Sequence, residues 1–320
     1  MDRQGALGTL RSAVAAFAAR YAGADDRWCV ALSGGPDSLA LTAVAAKLKP
    51  TTALIVDHRL QHGSDRVAVT ALDQAMALGC VDAQVLCVDV GVTGGPEAAA
   101  RAARYLALDG ARAEAKVLLA HTLDDQAETV LLGLGRGSGA RSIAGMRPFD
   151  PPWCRPLLDV RRTITHQVCD ELNLHPWHDP HNVDRRYTRT RLRTEVLPML
   201  EDVLGGGVAE ALARTGRALR EDNEALDALA DAALVAASAG NGLDIGALAG
   251  LPDAVRRRAI RRWLLAGGAD DLTDKQIRGV DALVTRWKGQ GGVAVSSPLR
   301  SERLFAGRRD GMLVMYREPV

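Results

Sequence analysis

The segment Ser33-Gly34-Gly35-Pro36-Asp37-Ser38 has the composition of an anion cradle. Its two glycines permit positive φ and let backbone N–H groups come close to a charged oxygen, and the serine hydroxyls add donors. A short apolar run, residues 27–32, precedes it, and a helical pattern over residues 37–49 follows. The positive end of that helix is therefore aimed at the same point. The lysine of a Gly-Lys-Ser/Thr loop is missing, so this is not the Walker-type loop that holds the β and γ phosphates. A plain strand-to-helix turn capped by Ser and Asp is the competing reading of these six residues, and their place after a first strand favours the cradle.

A second group follows the short run 117–120: His121, Asp124, Asp125 and Glu128. Asp125 and Glu128 are three residues apart, so on a helix starting near Thr122 their carboxylates share one face. Two negative groups there suit a dicationic ligand; the structural alternative is acidic placement in a helix's first turn. His121 could hold a phosphate or accept a proton, although a single histidine is often a satisfied structural group. Asp57 and His58 end a third apolar run, residues 52–56. Farther on, Arg189, Arg191 and Arg193 alternate, as an extended segment would to present guanidinium groups to a polyphosphate or an RNA backbone. Their competing reading is a solvated charge run.

The elements that must position these residues alternate in period. Helical patterns over 7–21, 37–49, 64–78, 96–115 and 122–134 are interleaved with apolar runs at 27–32, 52–56, 83–90 and 117–120. That alternation predicts an α/β fold with an open parallel sheet and helices on both faces. Ligands of such sheets sit beyond the carboxyl ends of the strands, where all three polar groups fall. A helix over 163–174 leads into residues 175–193, rich in His, Pro, Asp and Arg and without an apolar period, which marks a functional loop. Helices over 194–239, broken at residues 205–207, lead to a smaller helix-rich second domain with short strand-like runs near 293–295 and 312–316. The expected division is residues 1–200 as a nucleotide-binding catalytic domain, 201–242 as a helical linker and 243–320 as a small basic domain.

Composition narrows the function classes. Hydrophobic residues make up 47% of the 320 but aromatics only 4%, which favours helix-rich packing over a β-sandwich. No apolar run approaches the roughly 20 residues needed to span a bilayer, and the start lacks a signal-peptide pattern, so a cytoplasmic enzyme with no membrane partner is expected. The five cysteines are scattered without a CxxC pair, which predicts buried thiols. From residue 251 onward there are 14 Lys/Arg against 8 Asp/Glu, a net +6 that leaves −5 on the preceding 250 residues. A basic module of this kind fits a polyanionic partner, with Arg261 and Arg262 on a helix of five arginines as candidate phosphate contacts. Trp263 and Trp287 read as core anchors.

The SGGxDS pattern at residues 33–38 resembles the PP-loop of the N-type ATP pyrophosphatases. That resemblance implies cleavage of ATP between the α and β phosphates, adenylation of a carbonyl oxygen, and Mg²⁺, with Asp37 as the candidate metal-side carboxylate. The stretch from His121 to Thr129, with Arg136, Gly137, Ser138 and Gly139, is similar to that of tRNA(Ile)-lysidine synthetases. So are Val56-Asp57-His58, the segment from Glu97 to Arg101 with Arg104 and Tyr105, Arg155-Pro156-Leu157-Leu158, and Asp179-Pro180 through Asn182, Asp184, Tyr187, Thr188, Arg189, Arg191 and Arg193. In the tail, Arg261-Arg262-Trp263-Leu264 and Trp287-Lys288-Gly289-Gln290-Gly291 resemble that family's second domain.

The family resemblance implies ATP and Mg²⁺ as cofactors and free L-lysine and a tRNA(Ile) with a CAU anticodon as partners. The implied reaction adenylates a cytidine at the first anticodon position and then attaches lysine at C2. It assigns Ser33, Gly34, Gly35, Pro36, Asp37, Ser38, Asp57 and His58 to the nucleotide. Asp37, His121, Asp125, Glu128 and Arg189 form the catalytic set, and Asp125, Glu128, Arg104, Arg191, Arg193, Arg261 and Arg262 face lysine or tRNA. A homodimer is compatible with the sequence. The rivals are a tRNA thiolase, which the unpaired cysteines oppose, an amide-forming synthetase, which leaves the basic second domain unused, and a nucleotide-binding regulator, which has no need of Asp125 and Glu128.

Overall fold

Strand β1 (Trp28–Ala31) is buried on both faces, and its side chains enter two separate cores. Trp28 and Val30 pack into one, Cys29 and Ala31 into the other, as the two-residue period of a strand requires. The computed structural model describes all residues except 1–4, 24–25, 60–62, 92–94, 138, 180–183, 299–301 and 320. The chain divides into two compact units, Met1–Ala218 and Leu219–Val320.

In the first unit, β2 (Thr51–Asp57) and β4 (Lys116–Leu118) flank β1 in parallel. Outside them lie β3 (Asp82–Cys87), the parallel β6 (Trp153–Cys154) and the antiparallel β5 (Phe149–Asp150). The order is β3-β2-β1-β4-β6-β5, so the direction of winding reverses between β1 and β4. That is the switch point at which open α/β sheets take ligands. Val30 pairs with Leu118, so Ser33 and His121, each three residues farther on, leave the sheet at the same level.

Helices α1 (Ala6–Tyr21), α2 (Pro36–Leu48), α3 (Ser64–Leu78) and α7 (Arg162–Glu171) contribute Leu10, Leu39, Ala71 and Val168 to one core. Leu108 of α4 (Pro96–Ala111) closes the other against Leu54, Val117 and Leu119. Helix α5 (Leu123–Arg136) buries Leu123 and Ala127 against Leu197 of α9 (Leu197–Leu204) and Ala209 and Ala213 of α10 (Val208–Ala237). Short helix α6 (Ala140–Ile143) lies between α5 and β5.

Two expectations are corrected. Residues 189–193 are not extended: α8 (Thr188–Arg191) runs into a π-helical turn, Leu192–Val196, so the three arginines diverge at helical spacing. Cys87 is exposed, whereas the other four thiols are buried. Pro180, Asn182 and Ser138 lie outside the described residues.

The second unit holds an antiparallel sheet of order β7-β8-β11-β10-β9, with β7 (Ser238–Ala239), β8 (Gly242–Asp244), β9 (Val293–Val295), β10 (Glu302–Arg309) and β11 (Met312–Pro319). Helices α11 (Ile245–Ala249), α12 (Asp253–Ala266) and α13 (Asp274–Thr285) close a core of Leu243, Leu248, Ile260, Leu264, Leu283 and Leu313. The β10–β11 hairpin carries more of this unit than the strand-like run at 312–316 implied.

Candidate active site

Gly34 takes φ +80, a conformation that favours glycine, whereas Gly35 does not need its freedom at φ −73. Ser38 fixes the turn: its hydroxyl donates to Gly35 O at 2.9 Å and accepts from Ser33 N at 3.2 Å. Trp177 N donates to Gly34 O at 2.9 Å, which pins the backbone at Trp177 onto the turn. Among the described residues no side chain caps α2, which leaves its first N–H groups available to an anion.

Beside the turn is a cavity of about 290 Å³, bounded by Leu54, Val56, Asp57, His58, Arg104 and Trp177 among others. Asp57 is buried and accepts from Arg59 N at 2.9 Å. Burial and the nearby Arg104 lower the pKa of His58, against the pull of Asp57, and its Nδ1 has no partner among the described residues. Burial likewise lowers the pKa of Arg104.

Asp37 and the acidic helix meet on a single arginine. Arg162 places Nε 3.3 Å from Asp37 Oδ2, Nη2 2.6 Å from Asp125 Oδ1 and Nη1 3.5 Å from Glu128 Oε1. Its backbone N–H donates to Asp124 Oδ2 at 2.7 Å. The Thr165 hydroxyl donates to Asp37 Oδ1. Asp125 Oδ2 accepts from Thr122 N and Oγ1 at 2.8 and 2.9 Å, which fixes the start of α5. Glu128, fully buried, takes Arg193 Nε at 2.8 Å and Nη2 at 3.3 Å.

These contacts set the protonation states. Burial raises the pKa of Asp37 against the pull of Arg162 and Thr165. Burial also acts against the Asp125 charge, but Arg162, His121 and the Thr122 N–H hold that carboxyl below its usual range. For Arg162, burial is outweighed by Asp125, Asp37 and Glu128, which keep the guanidinium charged. Burial pushes His121 down to about 3, with Asp125 opposing and Arg104 adding to it. Burial thus favours the neutral imidazole of His121 and makes it a weak proton acceptor.

Asp125 and Glu128, expected to suit a dicationic ligand, both carry guanidinium partners, Arg162 and Arg193. The remaining predicted residues divide. Arg193 is in the site, while Arg189 reaches Thr129 Oγ1 at 3.4 Å and Arg191 pairs with Glu195 at 3.3 Å. In the second unit Arg262 is engaged by Asp227 and Asp231, and Arg256, Arg257 and Arg258 are paired with Asp281, Asp253 and Asp227. Arg261, of the same helix, has no ion pair among the described residues. Trp263 packs against the core, but Trp287 is 46% exposed under Arg308, which corrects its reading as a core anchor.

Sequence reasoning missed Arg162, Thr165 and Trp177. The available signal was Arg161-Arg162 at the N-terminus of a helix, where cations oppose the dipole unless carboxylates surround them.

The sequence matches the PP-loop domain over residues 9–200 and the TilS substrate binding domain over residues 243–308. It is 71% identical to the tRNA(Ile)-lysidine synthase of Mycobacterium tuberculosis and 69% to that of Mycobacterium leprae, each over the full length of both chains. The chain belongs to the tRNA(Ile)-lysidine synthase family. Another family member, from Rhodococcus erythropolis, is 59% identical over 97% of this chain and 95% of its own. Among solved structures, the U34-tRNA thiolase NcsA from Methanococcus maripaludis superposes with a TM-score of 0.54 at 16% identity, covering 67% of this chain and 80% of that one. That likeness shows the PP-loop fold shared by this tRNA(Ile)-lysidine synthase family member.

Proposed function

We propose that the chain is an ATP-dependent ligase that joins L-lysine to C2 of a cytidine at the first anticodon position of an isoleucine tRNA with a CAU anticodon. Its products are lysidine, AMP and pyrophosphate. The observation that carries this reading is Arg162, whose guanidinium contacts Asp37 on the nucleotide turn and Asp125 on the acidic helix.

The open N-terminus of α2 and residues 33–38 bind the triphosphate, and the cavity at Asp57, His58 and Arg104 receives the nucleoside. Cytidine O2 bonds to the α phosphorus as its bond to the bridging oxygen breaks, and pyrophosphate leaves. The lysine ε-ammonium gives a proton to a neighbouring carboxylate, its freed nitrogen bonds to C2, AMP departs with O2 as the C2–O2 bond breaks, and the second proton of the nitrogen passes to solvent. Asp125 and Glu128 orient the lysine ammonium groups, and Arg193 holds Glu128 in place. Neutral His121 serves as a hydrogen-bonding group at the β4 end.

Among the described residues no three His, Cys, Asp or Glu gather as a metal site. A Mg²⁺ that takes one protein carboxylate and completes its shell with phosphate oxygens and water fits Asp37. So held, it would offset the charge of the departing pyrophosphate. Residues 243–320 would bind the RNA and 201–242 link them to the catalytic part. Among the described residues no helix is long and apolar enough to cross a membrane.

The test is incubation with tRNA(Ile), ATP, Mg²⁺ and labelled lysine, then mass analysis of the nucleosides. The expected product is cytidine plus lysine less one water; RNA free of lysine, from a folded ATP-binding protein, would refute the reading.

A further inference from the structure

Arg162 opens α7, where a positive charge opposes the helix dipole, so its position is set by its partners and not by its own helix. Its three guanidinium nitrogens are divided among Asp37 on the nucleotide side and Asp125 and Glu128 on the amino-acid side. Arg193 adds a second cation to Asp125 and Glu128. Asp37, Asp125 and Glu128 outnumber the two guanidiniums they share by one, and the adjoining Asp124 is matched by Arg161, so the half-buried cluster carries a net negative charge that favours a cation. Next to the cluster is a cavity of about 140 Å³, where Leu197, Pro198 and Ala209 offer an apolar wall beside Glu128 and Arg162.

We propose that Arg162 is a positioning residue that makes lysine binding depend on bound nucleotide. This deepens the lysine-ligase reading and rests on it. Arg162 occupies the faces of Asp125 and Glu128 that an ammonium group would use. A triphosphate at the N-terminus of α2 carries more negative charge than Asp37 and draws the guanidinium toward itself. The Arg162 backbone stays anchored to Asp124, so only the side chain turns. Asp125 and Glu128 then keep Arg193 alone, and the unmatched charge is filled by lysine, whose aliphatic stem lies along Leu197. Linkage makes the effect reciprocal: bound lysine tightens nucleotide binding by the same factor. Lysine is thereby recruited only to a site already loaded with ATP.

The experiment titrates L-lysine calorimetrically into the full chain, alone and saturated with α,β-methylene-ATP and Mg²⁺, for wild type, Arg162→Met and Arg162→Lys. The wild type should bind lysine about tenfold or more tightly with the analogue present. Arg162→Met should bind lysine without nucleotide more tightly than the wild type does, with the analogue changing that affinity less than about twofold. Arg162→Lys should restore part of the coupling. A merely structural arginine predicts the opposite sign, weaker lysine binding on removal. Equal wild-type affinities in both conditions, coupling that survives in Arg162→Met, or joint loss of both ligands in that variant each overturn the proposal. If the wild type takes lysine in neither condition yet incorporates it into RNA, this inference alone falls; if it does neither, the ligase reading falls too.

Discussion

Glu128→Gln removes one charge and almost no volume from the centre of the site. In the native chain this fully buried carboxylate takes Arg193 at 2.8 and 3.3 Å and Arg162 at 3.5 Å. Breaking a buried ion pair at one end costs about 3–5 kcal/mol when the other end stays stranded. Neither arginine is stranded here. Arg193 is 32% exposed and keeps Asp125 at 3.4 Å, and Arg162 keeps Asp125 and Asp37. The expected loss is therefore roughly 1–2 kcal/mol, which lowers the melting temperature of the first unit by about 2–8 °C. The effect on lysine is larger: losing one charge-assisted hydrogen bond, about 1.5–3 kcal/mol, raises its KM roughly 10- to 150-fold. Single-turnover pyrophosphate release with tRNA and ATP but no lysine should stay within about threefold of wild type. The assay pairs that release with transfer of labelled lysine. Equal losses in the two steps at an unchanged melting temperature would refute the division of labour between α5 and the nucleotide turn, as would no loss in either.

Asp37→Ala should abolish pyrophosphate release while the chain still melts cooperatively; release near the wild-type rate would remove Asp37 from the nucleotide site. Gly34→Ala meets Ala71, Val67 and Trp177 no closer than 3.7 Å, so its penalty is the backbone at φ +80, about 1–2 kcal/mol, read from a urea midpoint. His121, pushed down from 6.5 to about 3, stays neutral in the fold while the unfolded chain takes up a proton below pH 6.5. Stability is therefore lost as pH falls across that window, and His121→Gln should lose less over the same range in urea titrations. Asp125, its carboxyl held low, adds a loss of the same sign at lower pH. Arg262→Ala removes pairs to Asp227 and Asp231, so it should lower second-unit stability by up to about 1 kcal/mol and change tRNA affinity less than about twofold in filter binding.

The fold was legible wherever a run was long enough to show its period. The helix expected over residues 64–78 is α3 to the residue, and the apolar run at 52–56 lies inside β2. Strands β5 and β6, two residues each among prolines, are too short to carry a two-residue alternation. The glycine turn and the Asp125–Glu128 spacing are local patterns and could be read directly. Arg162 could not, because its partners Asp37 and Asp125 are 125 and 37 residues away and become neighbours only through the order β2-β1-β4. The same limit explains the distal arginines. Counting charges gives a basic helix, but Asp227, Asp231 and Asp281 lie outside that helix and neutralise much of it in three dimensions. The alternation at 189–193 suggested an extended segment because every second residue is arginine, whereas the backbone there coils into α8 and a π-helical turn.

The central claim, that nucleotide and amino acid meet at one edge of the sheet between β1 and β4, is tested most directly by a crystal structure of the full chain with α,β-methylene-ATP and L-lysine. The phosphates should lie on the N–H groups that open α2, with a lysine ammonium nitrogen within hydrogen-bond distance of Asp125 or Glu128. Lysine bound away from α5, or phosphates bound away from residues 33–38, would contradict it.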